Sequence, residues 1–197
     1  MITLIIVECQ NDFISGTMIV KDARQMVENI KEFIRNNRKI IDKIIFVVDW
    51  HPYNHCSFKQ YGGEYPRHCI QYTPGACIEP KLLKLVQSYE IDYEVSRKGE
   101  IEEVEEFGAF NEIEFSSDEL GQRYYFDSIV VADANTEFVI CGIKDNVLST
   151  IKNMQKEGII PKIFKKGIIP ENIEDFVKEY QIKEYESENK KNSSEKK

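Results

Sequence analysis

Two runs near the start of the chain, Thr3–Val7 (TLIIV) and Lys43–Val48 (KIIFVV), are apolar almost without interruption. A strand with one face in water alternates apolar and polar residues. An unbroken run marks a strand covered on both faces, as in a parallel sheet packed between helices. Between the two runs, Asp22–Asn36 places Ala23, Met26, Val27, Ile30, Phe33 and Ile34 at helical spacing. The alternation continues with a helix over Pro80–Ser88, opened by a proline where a missing N–H costs nothing, and a strand over Ile91–Val95. A helix is predicted over Ser116–Arg123, begun by capping residues, and short strands over Ser128–Val131 and Phe138–Cys141. Either of those two strands could be part of an inserted edge hairpin. Val147–Lys156 reads as a helix stopped at Gly158, Pro161–Phe164 as a last strand and Asn172–Tyr180 as a last helix. The order of elements predicts an α/β fold: three layers, α/β/α, around a mostly parallel, Rossmann-like central sheet.

A length of 197 residues fits one domain, placed at residues 1–182, and the polar, low-complexity stretch 183–197 is expected to be a disordered tail. The formal net charge of −8 speaks against a general nucleic-acid or anionic-membrane surface, which needs clustered Lys and Arg. No apolar run approaches the roughly 18–20 residues of a membrane span. The opening MITLIIVECQ carries no basic leader, and the five cysteines are odd in number and scattered. Both point to a reducing, cytoplasmic setting without a disulfide framework. Nothing in the composition decides oligomeric state, and a homo-oligomer is compatible with it.

All three histidines fall in two stretches, FVVDWHPYNHCSF (46–58) and YPRHCIQYTPGAC (65–77), at His51, His55 and His68. Asp49 stands at the end of an apolar run, two residues before the first of them. Carboxylate oxygen and neutral imidazole nitrogen suit zinc, iron or manganese, and a catalytic site keeps one position open. A lone surface histidine is usually only a polar residue; three within 18 residues beside such an aspartate read as a metal-site scaffold. In parallel sheets, ligands bind beyond the carboxyl ends of strands. Glu8, Asp49, Lys98 and the loop Gly142–Asn146 all lie at or just past predicted strand ends, so they can converge on one crevice.

With these residues in view, the chain resembles the nicotinamidase (pyrazinamidase) branch of the isochorismatase-like hydrolases from Leu4 to about Tyr180. The likeness rests on VECQNDF (7–13), DWHPYNHCSF (49–58), YPRHCIQYTPGA (65–76), RKG (97–99) with EEFGAF (105–110), and CGI (141–143) with NVLSTIKN (146–153). The DWHP and PxHC pair is the specific part. The resemblance implies an isochorismatase-like fold and a divalent metal, zinc above all with iron or manganese as alternatives, held by Asp49, His51 and His68. His55 would be a further ligand or would stand behind one. The substrate would be a small amide such as nicotinamide, cleaved to an acid and ammonia, with Phe13 and Trp50 able to stack on its ring. Relatives use an aspartate as acid and base, a lysine beside it and a cysteine that forms a thioester. The logic is physical: a thiolate is the reactive sulfur, a nearby ammonium and a helix N-terminus lower its pKa, and helix-start N–H groups hold the oxyanion.

The sequence departs from that pattern at two of three catalytic positions. Glu8 stands for the aspartate, one methylene longer, and a displacement of about 1 Å can cost roughly 10²-fold in rate. Lys98 matches. Aligning Val147, Thr150 and Gly158 puts Asn146 where the cysteine belongs, and no register places a cysteine there. An asparagine amide neither ionises nor forms a thioester, and losing the nucleophile of a triad costs on the order of 10⁶ in turnover. The reading is therefore a nicotinamidase-like protein with impaired or absent turnover. The alternatives are a non-catalytic metal- and ligand-binding relative, an active amidase rescued by Cys141 or Asp145, and an acid-catalysed hydrolase of the isochorismatase type using Glu8.

Overall fold

The computed structural model describes residues 1–110, 136–170 and 172–186. The expected helix Ser116–Arg123, the expected strand Ser128–Val131 and the end of the polar tail lie outside the described residues. Five parallel strands form one sheet: β1 (Ile2–Val7), β2 (Ile41–Asp49), β3 (Asp92–Lys98), β4 (Glu137–Ile143) and β5 (Lys162–Ile169), in the spatial order β3-β2-β1-β4-β5. The helices are α1 (Asn11–Ile14), α2 (Ala23–Asn37), α3 (Pro80–Ser88), α4 (Lys144–Lys156) and α5 (Glu174–Glu179). This is the three-layer α/β/α arrangement expected from the alternation of apolar runs and helical segments. Every residue of β1 is buried, as a central strand covered on both faces requires. The six apolar residues spaced along α2 are all buried, and that helix packs against β4 and β5.

Several boundaries differ from expectation for local reasons. β3 runs on to Lys98, because pairing with β2 as far as Asp49↔Lys98 carries the polar end of the strand. β5 continues through Lys165, Lys166 and Gly167, which interrupt the apolar run; the pairing with β4 shifts register across them and resumes at Gly142↔Ile168. α4 starts at Lys144, three residues earlier than the apolar spacing suggested, so Asn146 lies in its first turn. α1 has four residues, too few for a helical period to register. At residues 183–185, bonds between the backbones of Ile163, Lys183 and Tyr185 fasten the chain to β5. Among the described residues no helix is long and apolar enough to cross a membrane.

The topology sets the crevice. β1 leads outward to β2 and β3 on one side and to β4 and β5 on the other, so the strand order reverses at β1. Ligands in open parallel sheets bind outside the carboxyl ends of strands at such a switch point. Gly142 sharpens the meeting of β1 and β4. It pairs with Val7 at φ +129, and a Cβ there would collide with the Val7 carbonyl. Glycine therefore lets the two backbones approach directly beneath Glu8 and Asn146.

Candidate active site

Glu8 is the first residue after β1, Asp49 the last of β2, Lys98 the last of β3, and Asn146 the third of α4. Adjacent strand ends thus bring together residues far apart in sequence. Glu8 has φ 57, a left-handed conformation that a non-glycine side chain adopts at a cost. It turns the chain out of the sheet, and its side chain is buried with Asp49 and Lys98. Lys98 Nζ lies 2.7 Å from Glu8 Oε1, forms a short contact with Asp49 Oδ1, and donates to the Glu106 carbonyl at 3.3 Å and to Asn146 Oδ1 at 3.4 Å. Asn146 Nδ2 donates to Glu8 Oε2 at 2.7 Å. One ammonium therefore joins both carboxylates and the asparagine amide. Glu8 Oε1 sits near Nζ but accepts no well-aligned hydrogen bond, so a lone pair remains for another donor.

Electrostatics follow from burial and pairing. Burial disfavours the ammonium of Lys98, but Asp49 and Glu8 outweigh it and raise its pKa. Burial likewise pushes against ionised Asp49, yet the Lys98 ammonium beside it, above all, holds its carboxyl well below the usual carboxylate range. For Glu8 burial wins over Lys98, and its carboxyl is pushed up to about 7. The two carboxylates on one lysine are thus driven apart: Asp49 stays ionised, and Glu8 exchanges a proton near neutrality.

On the other side of Asp49, Oδ2 lies 3.4 Å from His51 Nε2 and 3.5 Å from His68 Nε2. These three side chains are buried, and their ligand atoms lie within 4.8 Å of one another. His51 Nδ1 pairs with the Gly99 carbonyl at 3.1 Å, and His68 Nδ1 with the Pro66 carbonyl at 2.8 Å. A carbonyl only accepts, so each Nδ1 carries a hydrogen, and it is the neutral form of each ring that would turn an Nε2 lone pair toward Asp49. Three acceptors facing one gap call for a cation between them. Asp49 raises the proton affinity of His68 although burial opposes it, as expected where positive charge is wanted. The donor set, two imidazoles and a carboxylate, fits a divalent metal such as zinc.

His55 is engaged elsewhere. Its Nε2 pairs with the Val104 carbonyl at 3.0 Å, and its Nδ1 with Ser57 Oγ at 2.8 Å. Burial lowers its pKa to about 4. Its ring lies 4.2 Å from that of His51, so it packs behind a ligand with both nitrogens satisfied. Phe13 is buried with its ring 5.5 Å from that of His68, beside the metal triad. Trp50 turns to other company, with the Arg97 guanidinium 4.6 Å above it and Tyr72 against its edge. Cys141 is fully buried with its thiol toward the Ile5 carbonyl, and burial pushes that thiol far up, so it is a core residue. Asp145 is exposed.

Other residues of the site escaped sequence reasoning. Gly99 has φ +68, and a Cβ there would strike the His51 ring. Glu106 is buried and accepts the Gly99 N–H at 2.7 Å. Ala109 bonds to Thr150 and Asn153, tying this segment to α4. Gln10 and Asp12 form long-range bonds under the metal triad. Their one signal in the sequence was three polar residues at alternate positions directly after an apolar strand.

The chain is similar to known proteins in sequence and in fold. The Isochorismatase domain model matches residues 3–98, which include Glu8, Lys98 and the three candidate metal ligands. The nicotinamidase of Saccharomyces cerevisiae is 24% identical over 168 residues, covering 70% of this chain and 77% of the yeast protein. The nicotinamidase of Escherichia coli is 27% identical over 177 residues, covering 80% and 79% of the two chains. Among solved structures, the pyrazinamidase of Pyrococcus horikoshii in complex with zinc superposes with a TM-score of 0.71 at 24% identity, covering 94% of this chain and 99% of the other. The yeast nicotinamidase bound to the inhibitor nicotinaldehyde gives 0.73 at 22% identity, with 95% and 100% covered. Residues 3–98 thus match an Isochorismatase domain, and the chain is similar in sequence to nicotinamidases and in fold to solved nicotinamidase and pyrazinamidase structures.

Proposed function

We propose that this protein binds a divalent metal, zinc first among candidates, and a nicotinamide-like carboxamide, and that it hydrolyses the amide slowly or not at all. The observation carrying this reading is the state of Asn146. It occupies the place of the family's nucleophile, beside Glu8 and Lys98, with an amide that cannot ionise or add to a carbonyl. Its N–H already engages Glu8, the group that in a working triad takes the proton of the nucleophile.

The remaining residues keep recognisable tasks. Asp49, His51 and His68 would hold the metal, which supplies a Lewis-acidic centre. Lys98 keeps Asp49 ionised and holds Glu8 in place. Glu8 Oε1 keeps a lone pair for the N–H of a bound carboxamide. Phe13 offers an apolar ring beside His68. The first turn of α4 presents backbone N–H groups without intrahelical partners, a place for an amide oxygen.

The test pairs calorimetric titration of nicotinamide into zinc-loaded protein with an assay for released ammonia. Saturable binding with turnover at least about 10³-fold below that of an intact triad enzyme is the expected result. Rapid ammonia release would overturn the impaired-turnover reading, and absence of binding would overturn the ligand assignment.

A further inference from the structure

The geometry points to Gln10 and Asp12 as positioning residues that set the mutual placement of Asp49, His51 and His68. The inference rests on the metal reading given above and goes beyond it, since neither side chain reaches the gap between the ligands.

Gln10 is fully buried. Its Nε2 donates to the Asp49 carbonyl at 2.7 Å and to the Ala76 carbonyl at 2.9 Å, and its Oε1 accepts the Asp49 N–H at 2.8 Å. One side chain thus grips both peptide groups of Asp49 and ties them to the loop after His68. Asp12 is also buried. Its Oδ2 accepts the Cys69 N–H at 2.7 Å, and its Oδ1 accepts the Thr17 N–H at 3.0 Å. Cys69 directly follows His68 and holds φ 46, a conformation that needs outside support. The Cys69 carbonyl in turn accepts the His51 N–H at 3.0 Å, and the His51 carbonyl accepts the Gln71 N–H at 2.9 Å. Asp12 therefore steadies a single residue, Cys69, whose two peptide groups join it to His68 and bond it to His51. The carboxylate sits in a niche that only small residues permit: a Cβ on Gly16 or on Gly75 would collide with it.

Glu8, Gln10 and Asp12 thereby divide the work of one short segment. Glu8 faces the lysine, Gln10 fixes the carboxylate ligand, and Asp12 fixes the imidazole ligands. Groups that orient metal ligands from behind typically change metal affinity by about 10–100-fold when altered.

Two near-isosteric variants test this, Asp12→Asn and Gln10→Glu. The asparagine turns an N–H donor toward one of two N–H groups. The glutamate turns an oxygen toward two carbonyls. The readouts are zinc affinity by chelator competition, the visible absorption of cobalt(II)-loaded protein, and cooperative melting of the metal-free forms. The expected result is an affinity loss of about 10–100-fold and a changed cobalt spectrum in each variant, with cooperative melting retained. Lowered melting temperature with unchanged affinity and spectrum would overturn the inference, because it describes a role in the fold alone. Loss of cooperative melting in both variants would overturn it for the same reason. If the parent protein takes up neither zinc nor cobalt, the metal reading itself fails, an outcome distinct from a parent that binds and variants that match it.

Discussion

On one side of Asp49, His51 and His68 turn lone pairs toward Oδ2 and have their only ring hydrogens committed to carbonyls behind them. On the other side, Asn146 gives an N–H to Glu8 and takes one from Lys98. The first region is incomplete without a cation; the second largely satisfies itself. A working amidase needs both regions open to chemistry, one to metal and one to substrate. On the proposed reading, the metal side keeps the acceptor arrangement of a binding centre, and Asn146 serves as a hydrogen-bonding strut where the nucleophile would stand.

The largest expected effect breaks the point the two regions share. Lys98→Met leaves Glu8 and Asp49 buried without their counter-charge, and urea denaturation should show a loss of about 3–5 kcal/mol. A loss below about 1 kcal/mol would mean that the lysine is not what holds Asp49 ionised and Glu8 in place. Next comes metal itself. Zinc at about a hundred times its Kd should stabilise the protein by about 2.7 kcal/mol, and a chelator should reverse the shift in melting temperature. An unchanged melting curve would remove the contrast between the regions.

Gly99→Ala aims at the metal side alone. The added methyl meets His51 and forces alanine into a left-handed conformation, costing about 1–2 kcal/mol. Zinc affinity should fall by at least about tenfold, while Lys98→Met spoils both regions. The smallest effect is at Cys141. Cys141→Ala should lower stability by about 1 kcal/mol and leave any residual ammonia release unchanged, because this thiol faces β1 in the core. Loss of activity in that variant would place the working sulfur there after all.

The sheet was legible because its central strands are apolar on both faces, and α2 because its buried positions recur at helical spacing. The metal cluster was legible because its ligand types are few and gathered in two short stretches. The sequence placed Asn146 at the nucleophile position through the Val147, Thr150 and Gly158 register, and in the structure its side chain lies beside Glu8 and Lys98. The start of α4 was not legible, since Lys144, Asp145 and Asn146 give no apolar spacing. Gln10, Asp12 and Glu106 were missed for another reason. Their roles lie in bonds to backbone groups, some of them distant in sequence, and a backbone group carries no residue identity to read. One partner of His55, the Val104 carbonyl, is of the same kind, which is why ligand spacing alone left its role open.

The most direct measurement is ammonia release from nicotinamide by zinc-loaded parent protein beside zinc-loaded Asn146→Cys. The thiol would stand next to Glu8 and Lys98 in the first turn of α4, where its thiolate is favoured. An intact pocket lacking only its nucleophile predicts a rise of about 10³-fold or more in kcat/KM, short of full recovery because Glu8 is one methylene longer than the family's aspartate. A parent already as fast as the variant would contradict the claim that Asn146 is what silences this site.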